Sequence, residues 1–147
     1  MEHLNEVVGE ISGKVYIISH SLGTAIVEKY ITKFSPKLEA VVFLTPSPVI
    51  KRLQKAFLVN FHNIMRSKSC FYFSNRLDES VESVYLDKFT DESRKIELLM
   101  IRKKVPVGYE WNYKTLVMGS LNDNCMPISV LLDTAKTVSY THLRAHE

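Results

Sequence analysis

SGKVYIISHSLGTAIVEKY, residues Ser12 to Tyr30, changes its periodicity at one point, and that point decides the fold. Val15, Tyr16, Ile17 and Ile18 form a continuous apolar run, which predicts a buried strand over Lys14–Ser19. The run stops at Ser19-His20-Ser21-Leu22-Gly23, and helical spacing begins at once. A helix is expected from Leu22 to Phe34, with Ala25, Ile26, Tyr30 and Ile31 (or Phe34) facing inward, and Ser35-Pro36 ends it. So abrupt a strand-to-helix turn strains the residue at its apex, Ser21. The residues two before and two after the apex must be small, and Ser19 and Gly23 satisfy that. Such a bend pushes the Ser21 hydroxyl out of the sheet. It also leaves the Leu22 N–H, at the helix N-terminus, able to donate to a developing anion.

Outward from this stretch the elements alternate. Glu2–Ile11 reads as an amphipathic helix with Leu4, Val7, Val8 and Ile11 on one face. Leu38–Leu44 (LEAVVFL) is the next strand, finished by Thr45-Pro46-Ser47-Pro48. A strand–helix–strand unit of this length implies a parallel pair with a right-handed crossover. From Val49 to Gly108 the character becomes helical. Ile50, Leu53, Phe57, Phe61 and Ile64 recur at helical spacing, as do Val81, Val84, Tyr85 and Phe89, and then Ile96, Leu99 and Met100. Asp91 is positioned as an N-cap, and Cys70–Phe73 is the one strand-like run in the region. Lys114–Met118 restores a buried strand, Gly119–Asn124 is a turn cluster, and Pro127–Lys136 begins another helix with proline in its first turn.

This pattern resembles the α/β-hydrolase superfamily, in its serine-nucleophile, esterase- and lipase-like branch. The elbow strand and its serine, the following strand, an inserted helical cap and an acid-bearing strand are all covered. The family usually has glycine two residues before the nucleophile; Ser19 departs from that and keeps the size requirement. The resemblance implies an α/β fold, a partial doubly wound parallel sheet with an inserted helical cap. Residues 1–48 would be core, 49–110 the cap insertion, and 111–137 core again. A Ser/Gly-rich turn in a Rossmann-like binding domain without chemistry shares the local pattern, as would a non-catalytic relative of the hydrolases.

The resemblance also implies a triad in the chain order serine, acid, histidine. Ser21 would be the nucleophile and the Leu22 N–H one oxyanion donor. In Gly119-Ser120-Leu121-Asn122-Asp123-Asn124-Cys125-Met126-Pro127, counting back from the proline selects Asp123 as the acid, whereas counting forward from Gly119 lands on Asn122. Thr45–Pro48, the family's other location for the acid, holds no carboxylate. Asp123 has the alternative reading of a turn aspartate bonded to its own backbone. His20 is expected to pack or hydrogen-bond beneath the turn, and His3 and His62 to lie on helix surfaces. The catalytic histidine and the second oxyanion donor are expected outside this chain, which reads as an inactive fragment. The mechanism needs no metal or organic cofactor.

Residues 138–147, VSYTHLRAHE, are the translation of gtc-tct-tat-aca-cat-ctc-cga-gcc-cac-gag, the sequence of a common transposon-type sequencing adapter. The two preceding adapter bases, c and t, complete a threonine codon, and Thr137 stands there. The segment reads as a non-native tail and is set aside in reasoning about the fold. His142 and His146 are therefore not candidates for the triad. Without a later strand, Lys114–Met118 would be left with an open apolar edge, as would the elbow strand on its other side.

Composition narrows the partners. A net charge of +3 over 147 residues, with no basic stripe interleaved with aromatics, argues against nucleic acid. No apolar run approaches the ~18 residues of a membrane span. Cys70 and Cys125 show no metal-type spacing and read as free thiols of a reducing, cytoplasmic compartment. The expected partner is a small ester-like substrate. Cys70–Phe73 and Leu53–Met65 offer apolar surface for its acyl group or simply pack the cap. Lys51, Arg52 and Lys55 read as a solvated face.

Overall fold

The computed structural model describes residues 1–47, 78–88, 111–123, 126–138 and 142–146. Helix α1 (Glu2–Glu10) precedes strand β1 (Tyr16–His20), helix α2 (Gly23–Phe34) and strand β2 (Ala40–Leu44). Helix α3 (Glu79–Leu86), strand β3 (Thr115–Ser120), helix α4 (Ile128–Thr137) and strand β4 (His142–His146) follow. The sheet runs β1-β2-β3-β4, every pair parallel. Its rows are in step, with Ile18 opposite Val42 and Val42 opposite Leu116, and with His20 opposite Leu44 and Leu44 opposite Met118. The carboxyl ends of the first three strands therefore meet at one edge.

One face of the sheet is well covered. Val41, Phe43 and Val117 are completely buried against Val27, Tyr30 and Ile31 of α2 and Leu131 and Ala135 of α4. Burying a side chain of this kind contributes about 1.5–3 kcal/mol. Trp111 packs on Phe43 and donates from Nε1 to Thr115 Oγ1, while the Tyr113 hydroxyl donates to the Pro36 carbonyl, so both pin the start of β3 to the core. Lys33 donates to the Glu2 carboxylate and ties α1 to α2.

Several expectations are corrected in detail. On α2, Ala25, Tyr30 and Ile31 are buried as expected, with Thr24, Val27 and Glu28 and the half-buried Phe34; Ile26, expected inward, is exposed. Positions i, i+3, i+4 and i+7 from Val27 form the facing row, and Ile26 lies about 100° around from its start. On α1, Leu4 and Val8 pack inward while Val7 and Ile11 are exposed. Strand β1 is buried on one face only: Tyr16 and Ile18 are 59% and 68% exposed. Gly119 belongs to β3, not to a turn, pairing with Ala145, and α4 approaches it closely. A Cβ there would lie 2.9 Å from Leu131 Cδ1.

The largest difference concerns residues 138–147. Val138 is 1% exposed within the core, and His142–His146 pairs with β3 in register from Leu116↔His142 to Ser120↔His146. Ladder bonds are made by backbone groups, so the open side of β3 accepts the segment that α4 delivers to it, with no need for an apolar sequence. The edge expected to be bare at β3 is thus covered, and among the described residues no strand pairs with the other edge of β1. The expected helix through Ile50–Ile64, the Cys70–Phe73 run and the Asp91-capped helix through Ile96–Met100 lie outside the described residues. So do Lys51, Arg52, Lys55 and His62. The Val81–Phe89 stretch is helical over Glu79–Leu86, capped by Asp78, whose carboxylate accepts from the Ser80 N–H.

Candidate active site

The turn between β1 and α2 is sharp because one residue carries it. Ser21 has φ 47°, in the left-handed region that non-glycine residues seldom occupy. Its neighbours hold it there. The Ser21 N–H donates to the Leu44 carbonyl at 3.0 Å, and the Ser21 carbonyl accepts from the N–H groups of Thr24 and Ser47, each at 3.1 Å. The side chain is half-buried, not sealed under the bend. Ser19 and Gly23 are neighbours across the turn: a Cβ built on Gly23 would sit 3.6 Å from Ser19 Cβ, at ordinary van der Waals contact. Beneath them the buried Ser19 and Thr24 hydroxyls lie 3.5 Å apart.

Leu22 is the N-cap of α2, with φ −57° and ψ −29°. Its carbonyl accepts from the Ala25 N–H at 3.1 Å. Among the described residues no group accepts from the Leu22 N–H, which lies where the helix dipole is positive. A hydroxyl on a strained apex and an adjacent free N–H are the two parts needed to attack a carbonyl and to hold the resulting oxyanion.

Asp123 lies three residues beyond the end of β3, at the same edge of the sheet as Ser21. Its turn is built locally. The Asn122 N–H donates to Ser120 Oγ at 3.1 Å, and the Asp123 N–H to the Ser120 carbonyl at 3.4 Å. Asp123 Oδ1 in turn accepts from the Met126 N–H at 2.8 Å, just ahead of Pro127, the N-cap of α4. This is the backbone-bonded aspartate that turn chemistry favours, and it also fixes the carboxylate's direction. One strand, β2, separates the strands that carry Ser21 and Asp123, which at two inter-strand spacings is about 10 Å.

The histidines divide differently. His20, expected beneath the turn, is exposed, because strand alternation turns it to the opposite face from Ser19. His3 is exposed on α1 and lies 3.6 Å from Glu6. His146 stands opposite Ser120 at the end of β4, three strand spacings from β1, about 14 Å. Sequence reasoning missed Thr45, a second left-handed residue at φ 39° directly after β2. Nothing in a β-branched residue signals a positive φ, so only coordinates reveal it.

Among the described residues, no helix is long and apolar enough to cross a membrane. Solved structures with the same fold include an esterase (EaEST) from Exiguobacterium antarcticum, at 13% identity and TM-score 0.69, covering 99% of this chain and 63% of that one. A lipase-esterase related protein from Clostridium acetobutylicum is similar at 16% identity and TM-score 0.63, with 99% of this chain and 65% of that one covered. A monoacylglycerol lipase from Paleococcus ferrophilus is similar at 17% identity and TM-score 0.59, with 99% and 62% covered. At such identities the likeness establishes the α/β-hydrolase fold, and the chain spans under two thirds of each structure's length. A search of curated proteins finds no match. The sequence itself is more specific: a family profile described as serine hydrolase matches residues 1–83, a span that contains the whole strand–Ser21–helix turn. With a strained serine at the apex of that turn, the chain belongs to the serine hydrolase family.

Proposed function

We propose that the protein hydrolyses a carboxylic ester or related acyl bond through an acyl-enzyme formed on Ser21. A histidine takes the Ser21 proton as Oγ attacks the carbonyl carbon, and the Leu22 N–H donates to the oxyanion. Collapse of the tetrahedral adduct expels the alcohol, which leaves with the proton from the imidazolium. Water then repeats the sequence and releases the acid. Asp123 orients the imidazole and stabilises its charged form. The observation that carries the reading is the left-handed φ of 47° at Ser21, beside an N-cap whose N–H has no acceptor among the described residues. Removing one oxyanion donor typically lowers the rate by about 10²–10³.

The histidine is assigned outside this chain. Hydrolysis of a p-nitrophenyl ester tests both assignments. The 147-residue chain is expected to match its Ser21→Ala variant without additives and to exceed it when imidazole is supplied in solution. The gain is expected to fall in Asp123→Asn. Equal rates with imidazole present would remove Ser21 from the mechanism. Activity without imidazole that His146→Ala abolishes would place the histidine within the chain.

A further inference from the structure

The chain has three non-glycine residues at positive φ, among those described, and two of them, Ser21 and Thr45, face each other across adjacent strand ends. Ser35, the third, simply ends α2. Three hydrogen bonds join the pair's surroundings. The Ser21 N–H donates to the Leu44 carbonyl, the Thr45 N–H donates to the Met118 carbonyl at 2.8 Å, and the Ser47 N–H donates to the Ser21 carbonyl. Pro46 and Ser47 are buried. A chain leaving β2 in extended conformation would carry Ser47 away from β1. The left-handed turn at Thr45 brings it back, so that its N–H meets the carbonyl of the strained serine.

We propose that Thr45–Ser47 is a clamp that sets the nucleophile: the turn at Thr45 delivers the Ser47 N–H to the Ser21 carbonyl and so holds Ser21 in its left-handed conformation. Thr45 and Ser47 are positioning residues and act through Ser21. The backbone part of this inference stands without chemistry; its catalytic consequence rests on Ser21 being the nucleophile.

The test reads the backbone of Ser21 by NMR in the full 147-residue chain, from its Cα shift, its HN–Hα coupling and amide exchange at residue 47. Ser47→Ala keeps the donor and is expected to leave Ser21 left-handed. Thr45→Gly accepts the positive φ without strain and is also expected to leave it so. Ser47→Pro deletes the donor, with Ser47→Ala accounting for the lost hydroxyl, and is expected to move the Ser21 signals toward ordinary φ. Where proline prevents folding, a hydroxy acid at position 47, which replaces the amide by an ester, removes the same N–H. In the wild-type chain the Ser47 amide is expected to exchange at least about tenfold slower than an unbonded one, the equivalent of one net hydrogen bond. An unchanged Ser21 in the donor-deleted chain, or its loss in Ser47→Ala, would overturn the clamp. Reaction of Ser21 with a fluorophosphonate in the presence of added imidazole, followed in parallel, reports separately on the nucleophile: its failure with the backbone result intact removes the chemistry and not the clamp.

Discussion

Replacing Ser21 by alanine and by glycine is expected to separate in stability in the direction opposite to the usual one. At an ordinary φ, glycine is less stable than alanine by about 0.5–1 kcal/mol, because it gains more freedom on unfolding. At φ 47° alanine keeps the strain of the left-handed region, about 1–2 kcal/mol, and glycine does not. The strain outweighs the freedom, so Ser21→Gly should be more stable than Ser21→Ala by about 0.5–1 kcal/mol. The hydroxyl makes no hydrogen bond among the described residues, so its loss is common to both variants and cancels. Urea unfolding measures this, with the slope m held constant as a check that the denatured state is unchanged. In heat the same difference corresponds to about 1.5–3 °C for a chain of this size. Ile26→Ala and Ile26→Gly supply the control: at that exposed helical site glycine should be the less stable by about 1 kcal/mol. A glycine at position 21 that is less stable than alanine there would refute the strained elbow, whatever the protein catalyses.

Three further outcomes follow from the packing and the charges. Gly119→Ala should destabilise by about 1–3 kcal/mol in chemical denaturation, since its Cβ would meet Leu131 at 2.9 Å and that side chain is buried with little room to move. Tyr30→Phe should be neutral or stabilising, because the buried Tyr30 hydroxyl has no partner among the described residues. Burial, and secondarily Tyr113, hold the Tyr30 phenol above its usual range, so that stability is complete below pH 10 and lost as pH rises beyond it, and the variant should soften that alkaline loss. The hydrogen bond from Lys33, helped by its charge, lowers the Glu2 carboxyl to about 2 from 4.5. Glu2 therefore contributes above pH 4.5 and loses its contribution as pH falls toward 2, and Glu2→Gln should flatten acid unfolding across that window.

The elbow was legible because its geometry constrains residue type at three places. A β-branched run had to end, small residues had to flank the apex at Ser19 and Gly23, and a helix had to begin at once. The turn that carries Asp123 was legible from Pro127, which precedes α4, whereas Gly119 belongs to the strand and not to the turn. The inward face of α2 was legible at Ala25, Tyr30 and Ile31, and Ile26 was misassigned because both Ile26 and Val27 are apolar and only packing against the sheet distinguishes them. The single-faced burial of β1 could not be read, since its apolar run is what a strand covered on both sides also shows. Strand β4 was invisible for a different reason. Its pairing depends on backbone groups that every residue has, and on where α4 sets the chain down. The turn at Thr45 contradicts local preference outright, as sites held by their surroundings do.

The reading of Ser21 as a nucleophile is tested most directly by exposing the chain to a fluorophosphonate in the presence of imidazole and mapping the adduct by peptide mass spectrometry. The account predicts a single modified peptide spanning the β1–α2 turn, with phosphorus on Ser21 and slower labelling in Asp123→Asn. An adduct on another serine, or labelling equally fast in the Ser21→Ala variant, would contradict it.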